Sequence, residues 1–126
     1  MELQQISSCG LDFGTSNSTL AIAKDSTASL VALHDNSPIL KSSIFFDSET
    51  KQYFIGQNGI NRYFEGSKGK LMLSLKSILG SSLLNEKTAV CGTYVTYKDI
   101  IGLMIKYIKE TAEHNLNSEL TKVVLG

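Results

Sequence analysis

The residues whose types and spacing could do chemistry lie together between positions 12 and 17, in the run Asp12-Phe13-Gly14-Thr15-Ser16-Asn17. Asp12 is a carboxylate near the end of an otherwise apolar segment, an expensive place for a charge unless a cation or hydrogen-bond donors meet it. Gly14 lets the backbone approach a ligand closely, while Thr15, Ser16 and Asn17 offer successive N–H groups and side-chain donors around one point. An acid for a hydrated magnesium ion beside donors for phosphate oxygens outlines a nucleotide site. The glycine spacing fits neither the Walker A loop nor the dinucleotide fingerprint, and the residues after the turn read as a strand rather than a helix, so the phosphates would lie over a hairpin. The same residues also suit a plain β-turn, with Gly14, Ser16 and Asn17 serving geometry and Asp12 solvated at a strand end. Taken alone, they leave both readings open.

The elements that must position this turn are legible on either side of it. Residues 8–13 are short and apolar, and the chain resumes with Thr19-Leu20-Ala21-Ile22-Ala23, so the run reads as strand, tight turn, strand. Turn chemistry at 24–27 and the apolar run 29–33 add a third strand and complete an antiparallel meander. Further strands are expected at 43–46 and 52–55 around a polar turn at 47–51, with Gly56 ending the hairpin. Residues 57–64 suit a short helix with Ile60 and Phe64 on one side, although Gly59 is a weak helix former. The segment 70–80 is apolar at most positions and ambiguous in period. Residues 88–94 read as one strand.

The clearest helix is expected over 97–115. Thr96 followed by Asp99 supplies its N-terminal cap, Ile101, Met104, Ile105, Ile108 and Ala112 its buried stripe, and Lys106, Lys109, Glu110 and Glu113 its wet face. The closing run Val123-Val124-Leu125 has the look of a buried parallel strand fed by that helix, which implies more sheet beyond Gly126 and a longer parent polypeptide.

Composition bounds the function. The 126 residues suffice for one domain with a real core, and 42% hydrophobic against 19% charged residues is an ordinary globular balance. Twelve basic and twelve acidic residues leave no net field to gather nucleic acid or an acidic membrane, so any anion must be held by local geometry. No apolar run is long enough to span a bilayer, and Met1-Glu2-Leu3-Gln4-Gln5 lacks the basic and apolar regions of a secretion signal, so a cytoplasmic location is expected. Cys9 and Cys91 read as two buried, reduced thiols rather than a disulfide or metal pair. His34 and His114 have no partner at ligand spacing. Tyr53, Phe54, Tyr63 and Phe64 suit a core or domain interface better than base stacking, because no basic stripe accompanies them.

The stretch Gly10-Leu11-Asp12-Phe13-Gly14-Thr15-Ser16-Asn17-Ser18-Thr19-Leu20-Ala21-Ile22-Ala23 resembles the first phosphate motif of the DnaK-type heat shock protein 70 family, a motif shared with other actin-fold ATPases and sugar kinases. Three later features resemble the chaperone branch in order and spacing: Phe54-Ile55-Gly56-Gln57, Leu75-Lys76-Ser77-Ile78-Leu79-Gly80, and a helix leading to Val123-Val124-Leu125-Gly126. The Lys-Ser-Ile-Leu-Gly variant looks most like the YegD-like chaperones. Two departures stand out: Ser77 replaces the family's usual arginine, and Lys41 stands near its usual proline.

That resemblance implies an α/β fold, the N-terminal part of an actin-like, ribonuclease-H-like ATPase domain spanning 1–126. It has a three-stranded antiparallel meander, a helix and a parallel strand, with an inserted small α+β subdomain at about 34–92. It implies ATP or ADP with magnesium as ligands. Asp12 would hold the magnesium through water, Gly14, Thr15, Ser16 and Asn17 would cradle phosphate, and Lys76 would act catalytically near the γ-phosphate. A lysine within an apolar segment fits such a role if its ammonium meets an anion; the alternative is a side chain that snorkels to the surface. The chain contains no second glycine-rich phosphate motif, so by itself it is expected to be inactive as an ATPase. Client polypeptides and co-chaperones would bind elsewhere in the parent protein. The alternatives within the superfamily are a sugar kinase and a filament-forming actin-like protein.

Overall fold

The computed structural model describes residues 4–5, 8–24 and 26–126. The described chain opens with β1 (Gln4–Gln5), β2 (Cys9–Phe13), β3 (Asn17–Lys24), β4 (Thr27–Leu30) and β5 (Leu40–Lys41). Next come β6 (Ile44–Asp47), β7 (Tyr53–Ile55), α1 (Gln57–Phe64), β8 (Gly69–Met72) and two single 3-10 turns at Leu75–Ile78 and Ser82–Asn85. The rest is β9 (Lys87–Val90), β10 (Thr93–Thr96), α2 (Tyr97–Leu116), β11 (Ser118–Glu119) and β12 (Val123–Leu125). It is a mixed α/β arrangement of several small sheets and two α-helices.

The main sheet runs β12-β2-β3-β4, with β5 also paired to β3. β2, β3 and β4 are successive antiparallel neighbours, as the expected meander requires, and β12 lies parallel to β2 with Val123 opposite Cys9. Alternation in β2 turns Cys9, Leu11 and Phe13 inward and leaves Asp12 outside. Leu20 and Ile22 of β3 face the same way, and α2 covers them with Ile101, Met104, Ile108 and Ala112. The Thr96 hydroxyl accepts the Asp99 N–H at 3.1 Å at the start of α2, the expected cap. Asn117 ends the helix in the left-handed conformation, φ 50°.

A second sheet, β7-β6-β8, stands beside the first. Its central strand is buried on both faces: Ile44 and Phe46 join the main core, while Phe45 lies under α1. Gly59, which weakened the helical reading of 57–64, is what lets α1 sit there. A Cβ at Gly59 would lie 2.5 Å from the Phe54 carbonyl oxygen and 2.9 Å from the Phe45 Cβ. Asp47 faces the same helix. Its carboxylate accepts the amides of Thr50 and Glu49 and lies 3.8 Å from the Arg62 guanidinium, which stacks on Phe54. These bonds, the Thr50 amide foremost, hold the Asp47 carboxyl below the usual carboxylate range.

Several expectations need correction. The third strand of the meander is Thr27–Leu30, not 29–33: the Val31 N–H still donates to the Leu20 carbonyl at 2.8 Å, the ladder ends there, and Val31 and Leu33 are buried in the core at 4% and 1% exposure. Residues 88–94 form no single strand; Cys91 and Gly92 take φ of 52° and 81° and fold them into the β9–β10 hairpin. Cys91 is thus a half-buried turn residue, whereas Cys9 is buried and donates its thiol to the Lys122 carbonyl. Phe64 is exposed rather than paired with Ile60 on an inner face, and Ile105 lies at the edge of the α2 stripe, whose inner face includes Ile100 instead. β12 is parallel as expected but exposed, as the edge strand of this sheet.

Candidate functional site

The candidate phosphate turn is the tight link between β2 and β3. The register places Asp12 opposite Thr19 and Phe13 opposite Ser18, and the Gly14 N–H donates to the Asn17 carbonyl at 2.9 Å. A side chain at Gly14 would overlap that Asn17 oxygen, so glycine is required for the hairpin to close, before any ligand is considered. Thr15, Ser16 and Asn17 are all exposed at the corner. Among the described residues, no acceptor within the protein takes the backbone N–H groups of Thr15 and Ser16. Their N–H groups are left without a protein partner at the exposed end of a firmly anchored sheet.

The anchoring comes from beneath. Ser18 and Ser42 are fully buried and share a hydrogen bond of 2.8 Å between their hydroxyls, and the Ser42 N–H donates to the Ser16 carbonyl at 2.9 Å. β5 completes the support, with Leu40 opposite Ser18 and Lys41 opposite Asn17. Sequence reasoning did not find this brace. Its only sign is the pair Ser42-Ser43 ahead of an apolar strand, where two small hydroxyl residues must satisfy each other or the backbone. Ser43 does the latter, donating to the Gly56 carbonyl.

Asp12 lies on the solvent face of the sheet, opposite to Leu11 and Phe13. Its charge therefore carries no burial cost, and the argument that an apolar setting demands a cation loses its force. What remains is position: an exposed carboxylate two residues before Gly14, on the same face as Thr19 and Asn17 by strand alternation. A single exposed carboxylate fits a divalent cation held through its water shell rather than directly, and no group of three or more His, Cys, Asp or Glu side chains that could hold a metal ion occurs among the described residues.

Lys76 sits in the 3-10 turn Leu75–Ile78, next to fully buried Leu75 and after Ser74, which is left-handed at φ 54°. Leu75 belongs to the same core as Phe13, but the Lys76 side chain is exposed and forms no ion pair or hydrogen bond with residues 12–17 among the described residues. Surface exposure alone accounts for a lysine in this apolar segment. The turn residues share one corner of the sheet, and no hydrogen bond or ion pair joins Lys76 to them among the described residues.

Comparison with known proteins gives one consistent result. The chain is 31% identical to a chaperone protein HscA homolog of Rickettsia akari over 97% of its length, and 30% identical to one of Rickettsia rickettsii over the same share. With one from Rickettsia felis it shares 28% identity over 92% of its length. It spans about a fifth of these relatives, 22%, 22% and 20% respectively. No family model matches. No helix among the described residues is long and apolar enough to cross a membrane. Along nearly its whole length the chain is similar to chaperones of the heat shock protein 70 family, a relation drawn at that coarse level and not at that of the YegD-like group.

Proposed function

We propose that this chain is the N-terminal part of the nucleotide-binding domain of a DnaK-type chaperone ATPase, with residues 12–17 forming half of its phosphate site. The observation that carries the reading is the pair of exposed amides at Thr15 and Ser16 with no acceptor among the described residues, on a braced hairpin with Asp12 on its exposed face, within a chain similar to an HscA homolog over 97% of its length. Exposed donors around one point suit phosphate oxygens, and Asp12 suits the water shell of a magnesium ion. Bound magnesium would neutralise phosphate charge. The chain's own residues orient the phosphates and hold them against the sheet end. Lys76 is assigned to the γ-phosphate by resemblance, and that assignment requires the 3-10 turn at Leu75–Ile78 to present it toward the hairpin.

On this reading 34–92 is an inserted subdomain, and the Lys76-Ser77-Ile78-Leu79-Gly80 run favours the YegD-like group. The parent protein would work in the cytoplasm, with clients and co-chaperones bound outside this chain. Catalysis by positioning needs an opposing lobe, so the 126 residues alone should not turn over ATP. The test is steady-state hydrolysis by the full-length protein with and without unfolded peptide. Peptide-stimulated ATP hydrolysis supports the reading; sugar-stimulated consumption, or nucleotide-dependent sedimentation into filaments, overturns it.

A further inference from the structure

The register of β5 places a cation beside the candidate phosphate turn. Lys41 lies directly across from Asn17, and both are exposed, while their neighbours Leu40 and Ser18 are paired on the buried face. Paired residues of an antiparallel ladder share a face, so Lys41 projects on the outer side of the sheet with Asn17, Thr19 and Asp12. Asp12 and Lys41 flank β3 from opposite sides, two strand spacings apart and two residues offset, which puts their Cα atoms about 12 Å from each other. That separation leaves room between carboxylate and ammonium for a phosphate group, and no ion pair joins the two among the described residues.

The backbone at Lys41 is held more firmly than that of an ordinary surface lysine. Leu40 is buried at 1% exposure, and the neighbouring Ser42 is bonded through its amide to Ser16 and through its hydroxyl to Ser18. The strand that carries the ammonium is therefore tied to the turn that offers the amides.

We propose that Lys41 is an anion-binding residue of this site, contributing positive charge to the polyphosphate of a bound nucleoside triphosphate from the β5 side of the hairpin. This rests on the nucleotide-site reading above. Lys41 complements the unpartnered Thr15 and Ser16 amides, because amides recognise oxygen geometry whereas an ammonium adds long-range attraction that salt screens. The contribution grows with ligand charge, so it favours triphosphate over diphosphate and leaves the nucleoside untouched.

The experiment measures binding of MgATP, MgADP and adenosine to the full-length protein and to its Lys41→Gln and Lys41→Arg variants at low and high salt. The expected result is MgATP binding weakened about threefold to tenfold by Lys41→Gln at low salt, from the loss of one partly screened charge. The loss should be smaller for MgADP, shrink as salt rises, and be largely restored by arginine; adenosine should bind all three proteins alike. Wild-type binding of MgATP with an unchanged Lys41→Gln variant overturns the role of Lys41 and spares the site. An equal loss for adenosine overturns it too, as a structural effect. Failure of the wild-type protein to bind any nucleotide overturns both readings.

Discussion

Replacing Gly14 by alanine tests whether the hairpin is as tightly built as its geometry indicates. The added methyl would collide with the Asn17 carbonyl oxygen, the same atom that accepts the Gly14 N–H at 2.9 Å. Ordinary carbon–oxygen contacts fall at roughly 3.3–3.6 Å, so the turn must open by about an ångström, which stretches that hydrogen bond beyond useful length. Losing one such bond costs about 1 kcal/mol, and residual overpacking about 1 kcal/mol more, for a total near 2 kcal/mol. Urea unfolding of Gly14→Ala against wild type measures the sum. Gly10→Ala is the matched control, because its methyl would meet nothing nearer than the Val124 carbonyl at 4.0 Å and should leave stability unchanged or raise it by up to about 1 kcal/mol. The turn geometry is refuted if the two variants unfold at the same denaturant concentration.

Other outcomes rest on the same structure. Gly102 lies inside α2 with open space around its Cβ position, so Gly102→Ala should raise stability by about 0.5–1 kcal/mol in the same unfolding assay. Ile108→Ala, at a fully buried α2 position, should cost about 2–5 kcal/mol in thermal or urea unfolding. The Glu113 carboxylate accepts the Leu120 N–H at 2.8 Å and is paired with Lys109, the amide foremost in holding its pKa below the usual glutamate range. A depressed folded-state pKa stabilises above the unfolded value of about 4.3 and is lost as pH falls through the folded value. Glu113→Gln should therefore lower stability at pH 7 and flatten the loss of stability on acidification below about pH 4, read from unfolding midpoints across pH.

Where local chemistry dominates, the sequence was readable. The Thr96 cap, the α2 stripe and the strand-turn-strand around Gly14 all depend on residues within a few positions of one another. α1 also matched over Gln57–Phe64, yet for a reason no local rule supplies: Gly59 is needed by Phe45 and the Phe54 carbonyl beneath it. The misreadings occur where distant burial decides. Val31 and Leu33 look like strand residues but are drawn into the core, and the run 88–94 is split because Cys91 adopts a left-handed turn that its type disfavours. At the site, the residues 12–17 could be picked out by type. The Ser18–Ser42 brace and the placement of Lys41 opposite Asn17 depend on long-range strand pairing that spacing does not reveal. The apolar context that suggested a buried role for Asp12 and Lys76 was a property of their neighbours, since both side chains are exposed.

The central claim is that residues 12–17 hold a magnesium nucleotide, and calorimetric titration of the full-length protein with ATP, in magnesium and in EDTA, tests it most directly. Wild type should bind MgATP, and Asp12→Asn should weaken that binding by about tenfold, or 1.4 kcal/mol, with the difference vanishing in EDTA. Identical MgATP affinities for wild type and Asp12→Asn, or no binding by either, would contradict the account.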